Sequence, residues 1–86
     1  MKTKQDFLDV ANDDAILLEP RKDFDRAIVA VTHDGRIVYD LQKVLSVLEK
    51  SGMTYDDACD YFDFNIIGGI RHYEEEERPV FISHTI

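Results

Sequence analysis

Two runs rich in β-branched residues, Ala27-Ile28-Val29-Ala30-Val31-Thr32 and Arg36-Ile37-Val38-Tyr39, flank Asp34 and Gly35. An Asp-Gly pair between two such runs is a strong short-range hairpin signal, because both central residues of a type I′ turn need positive φ. The spacing predicts a two-residue turn, with His33 opposite Arg36 and Val31 opposite Val38. The first run is apolar on both faces, which predicts a strand covered on both sides or central in its sheet. Any fold for this chain has to be built around that hairpin.

Helical signals lie on either side of it. Asp40 can cap a helix in which Leu41, Val44, Leu45 and Leu48 form one apolar stripe at i, i+3, i+4, i+7, with Val47 at its margin and Gly52 at its end. Thr54 and Asp57 form a capping-box variant for a second helix, whose apolar face is Tyr55, Ala58, Cys59, Phe62 and Ile66. That helix is expected to fade near Asn65 to Gly69, with Gly68-Gly69 a bend and Asn65 able to take the left-handed conformation at the helix end. Thr3 and Asp6 predict a short N-terminal helix over residues 4–12. Ala15 to Glu19 is a strand or an extended lead-in stopped by Pro20. Arg21 to Asp25 reads as a polar loop, and Val80-Phe81-Ile82-Ser83 as a last strand after Pro79. The expected architecture is therefore α+β, one domain over residues 1–86: a β-hairpin plus a C-terminal strand, packed with two consecutive helices and a short N-terminal helix.

A chain of 86 residues has room for a single core that buries roughly 60–65% of the unfolded surface. It holds no apolar run of membrane-spanning length, and its start, Met1-Lys2-Thr3-Lys4-Gln5-Asp6, does not read as a signal peptide. The single cysteine, Cys59, has no internal disulfide partner, which points to the cytosol. Ten Lys and Arg stand against 18 Asp and Glu, a formal charge of −8. That balance disfavours nucleic-acid backbones and anionic membranes and favours basic protein surfaces.

Candidate functional residues follow from the charge. At about 100° per residue, Asp56, Asp60 and Asp63 share one arc of the second helix. Tyr61 and Phe64 project beside and opposite its core face. Glu74-Glu75-Glu76-Glu77 adds an acidic run. Aromatic anchors beside steering charges form the pattern of a protein interface; an ordinary wetted helix face is the competing reading. No metal site is read. The aspartates lack the alternating loop of a calcium site, and His33, His72, His84 and Cys59 lack zinc spacing. Cys59 reads as a small hydrophobe, and no serine elbow or glycine-rich phosphate loop is present, so neither a catalytic residue nor a cofactor is assigned. The two helices outline a helix–turn–helix, but the second carries Asp56, Asp57, Asp60 and Asp63 and no Lys or Arg between Thr54 and Asn65, so phosphates would repel it.

From the end of the hairpin onward the chain carries Val38-Tyr39-Asp40, then Leu48, Gly52-Met53-Thr54, Asp57-Ala58, Tyr61-Phe62, Phe64-Asn65-Ile66, Gly68 and Pro79-Val80-Phe81. This order resembles a widespread family of small phage and prophage proteins of unknown function. In that family a Tyr-Asp step opens a helix, a Gly-Met-Ser/Thr turn follows, an acidic-Ala helix runs into an aromatic-Asn step, and a Thr-Pro-apolar strand closes. Two departures stand out: His72 where glycine is usual, and an acidic run that lengthens the final loop. The resemblance implies a phage or prophage setting and an α+β fold, and it carries no activity over.

Taken together, the residues predict a non-enzymatic acidic interaction module in a bacterial cytoplasm. Its concrete form is an inhibitor that mimics nucleic-acid charge and occupies a basic cleft of a host defence or replication protein. The rival expectations are a phage structural or assembly accessory and a small enzyme with a dispersed site. An apolar strand near an open edge is also compatible with a homodimer.

Overall fold

The computed structural model describes residues 9–83. Its spine is strand β2, Ile37–Asp40, which pairs antiparallel with β1 (Ile28–Val31) on one side and parallel with β3 (Val80–Ile82) on the other. The sheet order β1-β2-β3 makes β2 the central strand and leaves β1 at an edge, which corrects the expectation drawn from β1's two apolar faces. The burial agrees: Ile37, Val38 and Tyr39 are all buried, whereas Val29, Ala30 and Val31 are only half-buried. Central position follows from having a partner on both sides, and β3 arrives beside β2 from the far end of the chain.

The hairpin forms, but with a different turn. Gly35 has φ of 88°, and no described residue other than glycine has positive φ, so Asp34 does not adopt the conformation that a type I′ turn requires. The Gly35 N–H donates to the Thr32 carbonyl at 3.0 Å, and the Thr32 N–H to the Arg36 carbonyl at 2.8 Å. His33-Asp34-Gly35 is thus a three-residue loop with glycine in the left-handed position. The extra loop residue shifts the register by one, so Val31 faces Ile37 and Ala30 faces Val38, with a bulge between Ile28 and Ala30. Thr32 drives the change. Its hydroxyl oxygen accepts from the Arg36 N–H at 2.8 Å while its O–H donates to the Asp34 carboxylate. That second bond holds the Asp34 carboxyl below its usual pKa.

Before the sheet, residues 15–19 form an extended lead-in without strand pairing. The Ile16 N–H donates to the Glu77 carbonyl at 2.9 Å, and the Leu18 N–H to the Tyr39 hydroxyl at 2.8 Å. The stretch read as a polar loop is in fact helix α1, Arg21–Phe24, followed by a 3₁₀ turn, Asp25–Ala27. Phe24 and Ala27 are buried there, and Arg21 pairs with Asp25 at 3.0 Å across one turn. Two apolar residues three apart were enough to wind a segment whose other side chains are charged. The helix expected over residues 4–12 lies mostly outside the described residues.

Helix α2, Leu41–Lys50, is built as its sequence dictates. The Asp40 carboxylate accepts from the N–H groups of Gln42 at 2.9 Å and Lys43 at 3.3 Å, satisfying two otherwise orphaned donors. Val44, Leu45 and Leu48 are buried, Leu41 and Val47 pack against the core, and Gly52 closes the turn with φ of 115°. Replacing Asp40 with alanine is expected to cost about 1 kcal/mol in a urea unfolding titration, the usual worth of a helix cap.

Thr54 caps helix α3, Tyr55–Tyr61, by accepting from the Asp57 N–H at 3.1 Å. The helix does not fade at Asn65. It continues as a π-helical segment, Phe62–Ile67, and one further turn, α4 (Gly68–Ile70), so Gly68 sits in ordinary helical geometry with φ of −60° and makes no bend. Asn65 lies inside the π segment and is not left-handed. The wider winding lets Phe62 and Ile66 both bury while Ile67 packs at the core margin. Phe81 of β3 locks this rod to the sheet: its ring meets Phe62 edge-on at 4.8 Å and stacks on Tyr39 at 5.6 Å.

Candidate functional site

The rod formed by α3 and the π segment presents the acidic residues outward because its other side is fixed in the core by Ala58, Phe62 and Ile66. Asp56, Asp57, Asp60 and Asp63 are all exposed, and none forms an ion pair with a described lysine or arginine. Phe64 is 78% exposed, and Tyr61 is 39% exposed. The Phe64 residue is largely in water, whereas Tyr61 is mostly covered and only partly open.

Their grouping differs in detail from the helical-wheel projection. A shallow depression brings Tyr61 and Phe64 together with Met53, Asp57, Asp60 and Asn65. Asp56 and Asp63 lie outside it as flanking charges. Asp57, which the sequence places in the cap and among the helix's aspartates but not in the candidate surface, joins the site, and Met53 lines it from the turn between the helices.

Glu74 to Glu77 do not join this group. They form a 3₁₀ turn, Glu75–Glu77, closed by a reciprocal capping box in which Glu77 Oε1 accepts from the Glu74 N–H at 3.2 Å. The carbonyls of Glu76 and Glu77 accept from Asn12 Nδ2 at 3.3 Å and the Ile16 N–H at 2.9 Å. The backbone of the acidic run thus anchors the N-terminal segment, while the side chains of Glu74, Glu75 and Glu76 face water.

No protein-family model, curated protein or solved structure matches this chain. Its function has to be read from its own surface.

A larger groove adjoins the depression, and a smaller hollow adjoins that groove. A groove of about 390 Å³ runs between α1 and α2, walled by Phe24, Val47, Leu48, Met53 and Tyr61, with Glu19, Asp23, Arg26 and Lys50 around it. It shares Met53 and Tyr61 with the acidic depression. A smaller hollow gathers Arg26, Lys43, Ser46, Val47 and Lys50. Neither is legible in the sequence, because Arg21 to Asp25 carries no helical pattern and a groove needs two walls. The one trace was Val47, placed at the margin of its stripe.

Among the described residues, no three His, Cys, Asp or Glu side chains converge as metal ligands, and no helix is long and apolar enough to cross a membrane. Cys59 is a free thiol packed against the core from a half-buried position. The depression sets the carboxylates of Asp57 and Asp60 beside the rings of Tyr61 and Phe64.

Proposed function

We propose that the chain is a non-enzymatic, acidic protein-interaction module of phage type that docks on a basic protein surface in the bacterial host. The concrete target is the nucleic-acid-binding cleft of a defence or replication protein. The observation that supports this most directly is Phe64, 78% exposed and set among carboxylates that no described cation neutralises. A phenylalanine left in water contributes nothing to this fold, whereas in a partner's pocket it would act as an anchor while Asp57, Asp60 and Asp63 steer the encounter. The overall charge of −8 extends the same field over the molecule. The phage setting rests on the pattern from Tyr39 to Phe81.

Affinity capture from host lysate at rising salt tests the reading. At low salt the wild-type chain is expected to recover a basic, nucleic-acid-binding protein, with recovery falling as salt screens the carboxylates. Phe64→Ala should lower affinity about tenfold or more while changing folding stability by less than about 0.5 kcal/mol, since the ring is outside the core. Recovery of no basic protein at low salt would sink the proposal.

A further inference from the structure

Helix α2 carries Lys43, Ser46, Val47 and Lys50 at i, i+3, i+4 and i+7, which sets them on one helix face. Arg26, in the 3₁₀ turn after α1, joins them in lining a hollow of about 240 Å³. Three cations line this hollow and no carboxylate does, in a chain where 18 acidic residues outnumber 10 basic ones. None of the three forms an ion pair with a described carboxylate. The hollow opens into the larger groove, because Arg26, Val47 and Lys50 line both. Glu19 and Asp23 belong to the groove alone, so the hollow is a purely basic extension of a groove whose own charges balance. Phe24 and Leu48 are core residues that also line the groove, so it reaches down to the core.

We infer that groove and hollow form one binding site for a small phosphomonoester with a flat body, the chemistry of a nucleoside monophosphate. A phosphomonoester carries a charge of about −1.5 to −2 at pH 7. Arg26, Lys43 and Lys50 supply the opposing charge, and Ser46 adds a hydroxyl donor from the same face of α2. Phosphate alone uses the hollow and leaves the groove empty. A body with apolar faces and N–H groups at its edge uses both: the faces cover Leu48, Met53 and the Tyr61 ring, and the edge donates to Glu19 or Asp23. Once the phosphate engages Arg26 and Lys50, those two carboxylates are the unmatched charges of the groove, so donors on the body are what they select. The groove's volume of about 390 Å³ lies within the roughly 300–1,000 Å³ of small-molecule sites. The formal charge of −8 repels anions at long range, but that field is screened beyond about 8 Å at physiological salt, and the three cations act within that distance. The inference uses neither Phe64 nor the aspartates of α3, so it does not depend on a host partner.

Amide chemical shifts of the nitrogen-15-labelled chain test it, in titrations with the four ribonucleoside 5′-monophosphates, the matching nucleosides and inorganic phosphate. At least one nucleotide is expected to give saturable shifts at Arg26, Lys43, Ser46 and Lys50 and at groove residues such as Asp23. It should bind about tenfold or more tightly than its nucleoside or phosphate alone, since each of those fills only part of the site. Lys43 lines the hollow and not the groove, so Lys43→Glu should weaken the nucleotide about tenfold or more and leave the nucleoside unaffected. Lys43 is exposed, and a glutamate in the first turn of α2 suits the helix dipole, so the fold should persist. Lys50→Gln, at a second exposed position, should weaken the nucleotide as well. Phe64→Ala should leave nucleotide binding unchanged, which keeps this result separate from that of the lysate capture. No saturable shift with any nucleotide at millimolar concentration overturns the inference. So does equal affinity for phosphate or nucleoside alone, a response centred on Phe64 and Asn65, or wild-type nucleotide affinity in Lys43→Glu and Lys50→Gln.

Discussion

Replacing Gly35 with alanine is expected to destabilise the protein by about 3–5 kcal/mol, a large share of the roughly 4–13 kcal/mol available to a domain of this size. Two independent costs add. The backbone at Gly35 has φ of 88°, and a residue with a Cβ pays about 1–2 kcal/mol to stay in the left-handed region. The new Cβ would also stand 2.4 Å from Asn12 Oδ1, 2.6 Å from its Cγ and 2.9 Å from its backbone nitrogen. Asn12 cannot simply swing aside. Its N–H donates to the Gly35 carbonyl at 2.9 Å, and its Nδ2 donates to the carbonyls of Asp34 at 2.9 Å and Glu76 at 3.3 Å. Moving it loosens three hydrogen bonds, each worth about 1 kcal/mol. Urea titration of Gly35→Ala against wild type measures the loss. In the Asn12→Ala background the further cost of Gly35→Ala should fall, because the amide that clashes is gone, although the contact with the residue 12 backbone remains. A loss below about 1 kcal/mol for Gly35→Ala alone would show that the hairpin tip and the N-terminal segment are not held together as the structure has them.

The same cluster explains which parts of this molecule its sequence made legible. Asp40, Gly52 and Thr54 act on neighbours two to four residues away, so their roles as caps and stops could be read before any fold was known. The α+β architecture followed from such local signals plus the stripe of Val44, Leu45 and Leu48. Where a distant group takes part, the reading failed. Thr32 supplies a side-chain bond that makes the hairpin loop one residue longer than Asp34-Gly35 alone suggests, and the register moves with it. β1 looked central because Ile28 and its neighbours are apolar on both faces, yet the strand that flanks β2 on the other side comes from Val80–Ile82, some forty residues later. Phe24 turned a charged stretch into helix α1 by burying itself, and with it came the wall of a groove that no local pattern encodes.

The candidate site divides along the same line. Exposure of Asp56, Asp57 and Asp60 could be projected from helical periodicity because α3 starts at a clear cap and keeps its phase as far as Tyr61, and Asp63 and Phe64, just past it in the π segment, are exposed as well. Beyond Phe62 the π winding changes the phase. Asn65 is therefore exposed within the helix beside Phe64, instead of closing it. Met53 belongs to a turn and has no periodicity to betray it. The acidic run from Glu74 to Glu77 looked like steering charge alone, but its carbonyls are where the N-terminal segment docks, and a main-chain role leaves no mark on composition.

Tyr39→Phe should cost about 1–3 kcal/mol at neutral pH, and the deficit relative to wild type should shrink as the pH is raised from about 10 to 12. Tyr39 is fully buried in the central strand, and its hydroxyl oxygen accepts from the Leu18 N–H at 2.8 Å. Phenylalanine preserves the stacking on Phe81 but strands that buried donor, which is the costly half of losing a hydrogen bond. Burial disfavours the phenolate and pushes the Tyr39 pKa up to about 12, with the Leu18 N–H opposing the shift and the nearby Asp25 carboxylate reinforcing it. A folded pKa above the unfolded value of about 10 means that the unfolded chain releases this proton first as pH rises. The native state then binds more protons than the unfolded state, so stability falls with pH. The contribution is fully present below about pH 10 and is lost at up to about 1.4 kcal/mol per unit until pH passes about 12. Lysines and the other tyrosines titrate in the same range, but they do so in both proteins, so the difference between the two unfolding curves isolates Tyr39. Parallel alkaline losses in wild type and Tyr39→Phe would mean that this hydroxyl ionises as easily folded as unfolded, and that it is not sealed under Leu18.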